Sequence, residues 1–368
     1  MEKKERAIPK KRLIIAGALL ITASAGFFSA RLISGFADFY GFTIYPVIVN
    51  IFAHISGIFP FSVGEIMLIA IVLSILFAIV YFIVNMIRRK GRRMRFLLSS
   101  FATVLLAVSV VFFDFVFAMG INYSRKPFSQ IAGLQTGKYT KQQVAEVLVY
   151  TIANVAEAGK YIELDADGHI VKPDDLSARA VSAMRKLGGT YKPLDSYYSG
   201  VKPVMLSELM CYGHITGIFS FWSMEANYNT INIPEELGHI ACHELSHMTG
   251  FMREDEANYI AFLACRDSGD AYLTYSGWYD MMIYMLNAYY PDATPEEYTA
   301  VYSLIPEYAR DQLVMQNELW DKYETHFGEV AEAMNDVYLK INDQSDGTKS
   351  YGRVVDLMIA DYFRTRAE

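Results

Sequence analysis

The chain has 368 residues, carries a formal net charge of −7 and is 53% hydrophobic. This length allows a membrane region together with one globular domain that has its own core. The mild acidity excludes the basic footprint of a nucleic-acid-binding protein, so no nucleic-acid partner is predicted. The three cysteines, Cys211, Cys242 and Cys265, include no close pair, so neither a disulfide framework nor a CxxC zinc site is predicted.

Three apolar runs in the first third of the chain predict transmembrane helices at about residues 13–30, 66–87 and 96–119. Each run is long enough to cross a hydrocarbon layer about 30 Å thick at about 1.5 Å per residue. The alternative is a set of buried helices in a soluble protein, and the basic clusters at the ends of the runs argue against it. Residues 23–25 resemble a signal-peptidase site, but the apolar run continues past them, so an uncleaved anchor is favoured.

Basic residues predict how the chain is oriented in a bacterial cell membrane. The segment before the first run and the loop between the second and third runs are rich in Lys and Arg, which the positive-inside rule places in the cytoplasm. The loop from Ser34 to Glu65 has no Lys or Arg and is predicted to lie outside. Its apolar stretch at 42–61, which contains Pro46, is interpreted as a loop against the membrane face rather than an interfacial or re-entrant segment. Everything after Met119 is then extracytoplasmic.

The predicted fold is mainly α, with N-terminal transmembrane helices followed by a helix-rich domain that contains a small amount of β-structure. The predicted divisions are a membrane region at 1–120, a linker at 121–138 and an extracytoplasmic domain at 139–368. An extended segment is expected at 215–233, and the Asp/Gly-rich stretch at 164–168 predicts a turn rather than a calcium loop. Helices are expected at 140–158, 173–187, 234–249, 252–266, 276–290, 295–304, 306–326, 329–341 and 353–364.

The helix predicted at 234–249 carries the sequence His243-Glu244-Leu245-Ser246-His247, which matches HExxH. Residues four apart on a helix share a face, so His243 and His247 can both present imidazole nitrogens to one Zn²⁺. Glu244 lies about 100° around the helix, where its carboxylate can reach an attacking water rather than the metal. The metal lowers the pKa of that water to about 7, and Glu244 is predicted to take its proton as general base.

A catalytic zinc site needs a third protein ligand, and the next helix begins with the acidic residues Glu254, Asp255 and Glu256. Metzincin-type spacing points to Arg253, which cannot ligate a metal. Glu254 is favoured because it shares a helix face with Asn258, which can orient a ligand, whereas Glu256 points roughly the opposite way. Asp255 and Glu256 remain as alternatives.

Other polar residues are weaker candidates for contact with substrate. His239 lies one helical turn before His243 and either touches substrate or is a capping or solvated residue. The extended segment at 219–229 either aligns a peptide by strand addition or simply packs against the metal-site helix. Candidates for stabilising an oxyanion are Tyr228, Tyr275, Tyr279, His214 and Arg353.

The HExxH motif, followed on the next helix by E-x-x-A-N, resembles the gluzincin arrangement. The same pattern is similar to that of membrane-bound CAAX-prenyl-type and heat-shock-type peptidases. That resemblance implies that the helix-rich domain is zincin-like and that Glu254 is the third zinc ligand, while Asn258 stands where those families usually have Asp. More of the chain resembles a bacterial membrane family catalogued as domain of unknown function 3810. The shared features are the membrane-spanning N-terminal part, Glu225-Ala226-Asn227, HELSH, EDEAN, Tyr275-Ser276-Gly277 and Tyr351-Gly352-Arg353-Val354-Val355-Asp356.

These patterns predict a membrane-anchored, zinc-dependent metallohydrolase, a peptidase that acts on extracytoplasmic protein or peptide. The alternative is a non-catalytic membrane sensor or scaffold that keeps a structural metal site. Glu244 favours catalysis, because a purely structural site has no need of a general base. An intramembrane protease is excluded, because the helix at 234–249 is too polar to lie in lipid.

Overall fold

The computed structural model describes residues 9–89, 91–166, 169–342 and 353–367. It confirms the prediction of a mainly helical protein with little strand. The chain packs as two compact units, each assembled from separate segments. The first comprises Met1–Tyr45, Val63–Arg125 and Phe221–Ser223, and the second comprises Pro46–Ser62, Lys126–Ser220 and Met224–Glu368. The predicted boundaries at 120 and 138 stay a prediction.

Helices occupy the N-terminal third, and three of them coincide with the predicted apolar runs. The helices are α1 (Lys10–Leu32), α2 (Phe36–Phe39), α3 (Tyr45–Ser56), α4 (Val63–Arg88) and α5 (Arg93–Phe115), with π-helical turns at Tyr40–Ile44 and Val116–Gly120. In the first unit α1 packs against α5 along a stripe of buried small residues, Ala16, Ala23, Gly26 and Ala30. Small side chains let two apolar helices approach closely, and Phe117 fills the space beside Gly26.

Within the described residues, four helical stretches rather than the predicted three are long and apolar enough to cross a membrane. Three of them, Lys10–Leu32, Val63–Arg88 and Arg93–Ser124, contain the predicted spans. The fourth, Phe36–Ser56, falls mostly in the segment that the sequence indicated as a loop, and there the loop prediction is wrong. The chain stays helical through Pro46 because the π-helical turn at Tyr40–Ile44 directly precedes α3 and accommodates the missing backbone donor.

The second unit holds the remaining helices and a small sheet. The helices are α6 (Phe128–Ile131), α7 (Lys141–Ala158), α8 (Leu176–Thr190), α9 (Ser207–Cys211), α10 (Pro234–Met248), α11 (Glu254–Asp267), α12 (Ala271–Tyr289), α13 (Pro295–Tyr302), α14 (Glu307–Asp321), α15 (His326–Ile341) and α16 (Val354–Ala367). Thr140 caps α7 by accepting from the backbone N–H of Gln143, as its position predicted. The turn predicted at 164–168 lies partly outside the described residues, and Leu164 pairs with Ile170 across it.

The expected extended segment contains two of three short strands, β1 (Val201–Pro203), β2 (Gly217–Ser220) and β3 (Glu225–Tyr228). Their order is β1-β3-β2, with β1 parallel and β2 antiparallel to the central β3. α10 packs against β2 and β3 on one side and against α8, α11 and α12 on others, so almost all of its residues are buried. The helix with the HExxH motif is therefore the centre of the second unit.

Candidate metal centre

The two histidines of the motif lie on one face of α10, as the helical spacing predicted. Pro234 occupies the first turn of α10, where its missing N–H costs nothing, and Gly250 ends the helix with a φ of +85°. The Nε2 atoms of His243 and His247 are 3.1 Å apart. Both imidazoles therefore point towards the same place.

Glu254 completes a group of three residues that could hold a metal ion. It is the first residue of α11, and its Oε2 lies 3.2 Å from His243 Nε2 and 3.7 Å from His247 Nε2. A tetrahedral zinc ion with bonds of about 2.1 Å sets its ligands about 3.4 Å apart. The three donor atoms lie at comparable separations, so the residues present could hold a metal ion of this kind.

The other two acidic residues of α11 face different partners. Asp255 Oδ2 lies 3.5 Å from Arg353 Nε. Glu256 Oε1 accepts a hydrogen bond from the backbone N–H of Phe128 at 3.1 Å. The structure thus brings Glu254 to the histidines, while the sequence-based alternatives Asp255 and Glu256 are engaged elsewhere.

A backbone carbonyl fixes the orientation of the His247 ring through the nitrogen that faces away from the candidate metal site. Its Nδ1 lies 2.8 Å from the carbonyl oxygen of Phe251, which can only accept, so Nδ1 carries a proton and Nε2 is the nitrogen that faces the other two candidate ligands. His243 has no such contact among the described residues, because its buried Nδ1 lacks a hydrogen-bond partner. The Nδ2 of Asn258 is also buried and unpartnered in the described chain, so the predicted orienting contact from Asn258 is not observed.

Glu244 is buried beside the edge of the sheet. A Cβ added to Gly217 would lie 2.8 Å from Glu244 Cγ and 2.9 Å from its Cδ, so the carboxylate packs directly on the backbone of β2. Burial raises the pKa of Glu244 to about 8, against an opposing effect of His247. A carboxylate with a proton affinity near neutral pH has the property required of a general base.

The charges of the three candidate ligands are tightly linked. Burial would lower the pKa of His247, but the negative charge of Glu254 raises it to about 9. For His243, burial lowers the pKa and outweighs Glu254. Burial would raise the pKa of Glu254, yet His247 and His243 hold it well below its usual range. Glu254 is therefore ionised at neutral pH, as a metal-binding carboxylate must be.

The remaining predicted residues have structural contacts. Tyr275 donates from its hydroxyl to Gln312, and Tyr279 is fully buried with no partner for its hydroxyl among the described residues. His239 lies between Asn258 and Asp280 rather than in solvent. None of these contacts reaches the three candidate ligands, and Arg353 is held by Asp255 as described above.

Two residues of the site were missed from the sequence. Gly217 contacts Glu244 only because of the register of β2 on β3, and no local sequence pattern predicts that contact. Asp280 lies 41 residues after His239, and its proximity depends on how α12 packs against α10. Its one signal is a lone carboxylate on the otherwise apolar face of a helix.

Fold and site define a mainly helical protein that has candidate membrane-spanning helices and a two-histidine, one-carboxylate group able to hold a metal. Residues 40–359 match the family described as "Protein of unknown function (DUF3810)". The chain belongs to this family, as its resemblance indicated. No curated protein and no solved structure matches the chain.

Proposed function

We propose that this protein is a membrane-anchored zinc peptidase of gluzincin type, which hydrolyses extracytoplasmic proteins or peptides. The observation that carries the proposal is the convergence of His243, His247 and Glu254 beside the buried carboxylate of Glu244. Two imidazoles and one carboxylate form the donor set of a common class of catalytic zinc sites. A structural zinc site is usually closed by four protein ligands, whereas three ligands leave a position for substrate or water.

The roles of the residues follow from their positions. Bound zinc would supply Lewis acidity, which polarises a scissile carbonyl and lowers the pKa of water. Glu244 accepts the proton of the attacking water and returns it to the leaving amine. His247 holds its ligating nitrogen in place through its bond to the Phe251 carbonyl.

The edge strand β2 provides a means to align a peptide substrate. Asn229 N–H donates to Thr216 O at 2.9 Å, which makes 216 and 229 a hydrogen-bonded antiparallel pair. By alternation, the backbone N–H and C=O groups of Gly217 and Phe219 point away from β3, towards the open edge. A peptide that pairs with these groups would run alongside Glu244, because Gly217 packs against that carboxylate.

For the membrane topology we propose three crossings, by α1, α4 and α5, with the second unit outside the cytoplasm. The positive-inside rule supports this arrangement, because the arginines around the α4–α5 loop then face the cytoplasm together with the N-terminus. The stretch Phe36–Ser56, which ends with α3, is long and apolar enough to cross, but residues 46–62 pack within the second unit. The ring of His54 stacks on Tyr197 at 3.5 Å, and Ser56 O accepts from Lys202 Nζ at 2.7 Å.

The proposed function is tested by separating metal binding from hydrolysis in the purified full chain. Glu244→Gln should retain stoichiometric zinc and lose peptide hydrolysis by at least about 10²-fold, because the general base is removed while the ligands remain. His243→Ala should lose the zinc itself. Zinc is measured by elemental analysis, and hydrolysis by mass spectrometry of a digested peptide library.

Glu157→Gln is the matched control, because Glu157 is an exposed residue of α7 and its ion pair with Lys160 lies at the surface. It should match wild type in both measurements. Equal turnover by Glu244→Gln and wild type would refute the peptidase proposal. Wild-type protein that retains zinc but cleaves no peptide would instead favour the scaffold with a structural metal site.

A further inference from the structure

A buried histidine outside the candidate ligand set connects the three helices that surround the site. His239 lies on α10, one turn before His243, and only 3% of its surface is exposed. Its Nε2 is 3.0 Å from the backbone carbonyl oxygen of Asn258 on α11. Its Nδ1 is 3.0 Å from Oδ2 of Asp280 on α12. One imidazole ring thus spans α10, α11 and α12.

The chemistry of these neighbours determines which nitrogen carries a proton. A carbonyl oxygen can only accept, so Nε2 of His239 must donate to Asn258 O. Oδ2 of Asp280 lies 3.0 Å from Nδ1 on the other side of the ring, as a close contact without a hydrogen bond. The ring is held by its hydrogen bond to Asn258 O, and it cannot turn without breaking that bond.

The contact on α11 is close to a metal-binding residue. Asn258 is one helical turn after Glu254, so a hydrogen bond to its carbonyl fixes the position of the first turns of α11 relative to α10. The separation of 3.2 Å between Glu254 Oε2 and His243 Nε2 depends on that relative position. Metal–ligand bonds tolerate errors of only about 0.2 Å, so a small slide of α11 would weaken the site.

The packing around His239 leaves no room for the helices to adjust. A Cβ on Gly238 would lie 2.8 Å from Ser276 Cβ, so α10 and α12 are in direct contact there. The Ser276 hydroxyl accepts from the backbone N–H of His239 at 2.9 Å. α10 is thereby fixed to α12, and the hydrogen bond from His239 to Asn258 O fixes α11 relative to both.

We propose that His239 is a positioning residue for the metal centre, which acts by holding α11 so that Glu254 meets His243 and His247. This inference rests on the proposed metal site and adds a residue that contacts neither the metal nor the substrate. Asp280 packs against the other side of the ring, from α12.

The test is a metal titration of the purified full chain with Zn²⁺, in competition with a chromophoric chelator. His239→Ala should lower zinc affinity by about 10- to 100-fold, the usual effect of removing a group that supports a metal ligand. His239→Gln, whose amide can still donate to Asn258 O, should recover part of that loss. His326→Ala is the control, because His326 is exposed on α15 and should bind zinc as wild type does.

A second measurement distinguishes positioning from general stability. The absorption spectrum of the Co²⁺-loaded chain should change in His239→Ala and be restored towards wild type in His239→Gln, because it reports ligand geometry. Unchanged zinc affinity and an unchanged cobalt spectrum in folded His239→Ala would overturn the inference and leave the proposed function standing. A wild-type chain that binds no zinc would overturn both.

If His239→Ala does not fold, His239→Leu decides the question by the same titration. Leucine fills much of the space of the imidazole but cannot donate to Asn258 O, so we expect a loss of zinc affinity of about 10- to 100-fold. Affinity equal to wild type in folded His239→Leu would overturn the inference.

Discussion

At the scale of single residues, Gly217 sets the distance between the edge strand and Glu244, the proposed general base. Any side chain at this position would meet the buried carboxylate of Glu244. Glu244 has little freedom to move aside, because only 4% of its surface is exposed. Glycine is therefore required at position 217 because there is no space for a side chain beside Glu244, and not because of its backbone conformation.

We predict that Gly217→Ala lowers kcat for peptide hydrolysis by about 10²-fold and leaves zinc binding intact. The added methyl group would displace Glu244, and a misplacement of about 1 Å in a catalytic group costs about this much. Initial rates on a cleaved library peptide, together with zinc content, provide the measurement.

Gly189→Ala is the matched control for this substitution. Gly189 lies in α8, and no atom lies within 4 Å of the position that an alanine Cβ would take, so alanine fits there without displacement. It should keep full activity and gain about 0.5–1 kcal/mol of stability from its better helix propensity. Loss of activity in both variants, or in neither, would contradict the steric role of Gly217.

The metal-site residues differ in how far the sequence could predict them. His243, His247 and Glu254 follow from helical spacing and the demand for a third ligand, both of which are local properties. The contact of His239 with Asp280 joins two helices, so no spacing rule could predict it. The role proposed from sequence for Asn258 lacks its expected contact, because the side chain was placed by helix face alone.

At the scale of elements, the attachment of α3 rests on a buried charge. The Lys202 ammonium donates to the carbonyl of Ser56, the last residue of α3, where a cation complements the negative end of the helix dipole. Glu225 on β3 compensates the charge of Lys202, and both side chains are almost completely buried. The helix end and the sheet are thus held by one ion pair.

We predict that Lys202→Met destabilises the full chain by about 3–5 kcal/mol, because the buried carboxylate of Glu225 loses the cation of its ion pair. Thermal unfolding followed by circular dichroism measures the effect. The double variant Lys202→Met/Glu225→Met should regain most of the loss, since no unpaired charge remains. Lys192→Met is the control, because Lys192 is exposed and should change little. A double variant no more stable than Lys202→Met would contradict this account.

The sequence was least informative about elements whose ends depend on their neighbours. α12 begins at Ala271, earlier than predicted, because Asp270 accepts from the N–H of Leu273 and caps the helix. α3 was expected to be a loop because Pro46 usually ends a helix, and the preceding π-helical turn changes that outcome. Caps with a clear motif, such as Thr140, were predicted correctly.

At the scale of the whole molecule, the number of crossings decides on which side of the membrane the second unit lies. Three crossings put that unit outside and the α4–α5 loop inside. If Phe36–Ser56 also crossed, both would be reversed. Hydropathy alone does not distinguish these cases, whereas the basic residues and the packing of α3 favour three crossings.

We predict that a membrane-impermeant maleimide labels Lys160→Cys in spheroplasts and labels Gly91→Cys only after detergent is added. Both positions are exposed, and the three native cysteines are buried, so background labelling should be low. Mass spectrometry measures the label. The reverse pattern would show that the second unit is cytoplasmic and would remove extracytoplasmic substrates from the proposal.

Each unit is built from several separate segments of the chain, and this determines how the protein can be produced. Phe221 and Trp222, which join β2 to β3, belong to the first unit, where Phe221 packs on Phe115 and Trp222 donates to the Gly64 carbonyl. A recombinant fragment that starts after residue 125 would lose the partners of this apolar hairpin tip and also lack residues 46–62. Expression screens should therefore begin from the full-length gene in detergent or nanodiscs, since a truncated soluble fragment would present exposed aromatic rings that favour aggregation.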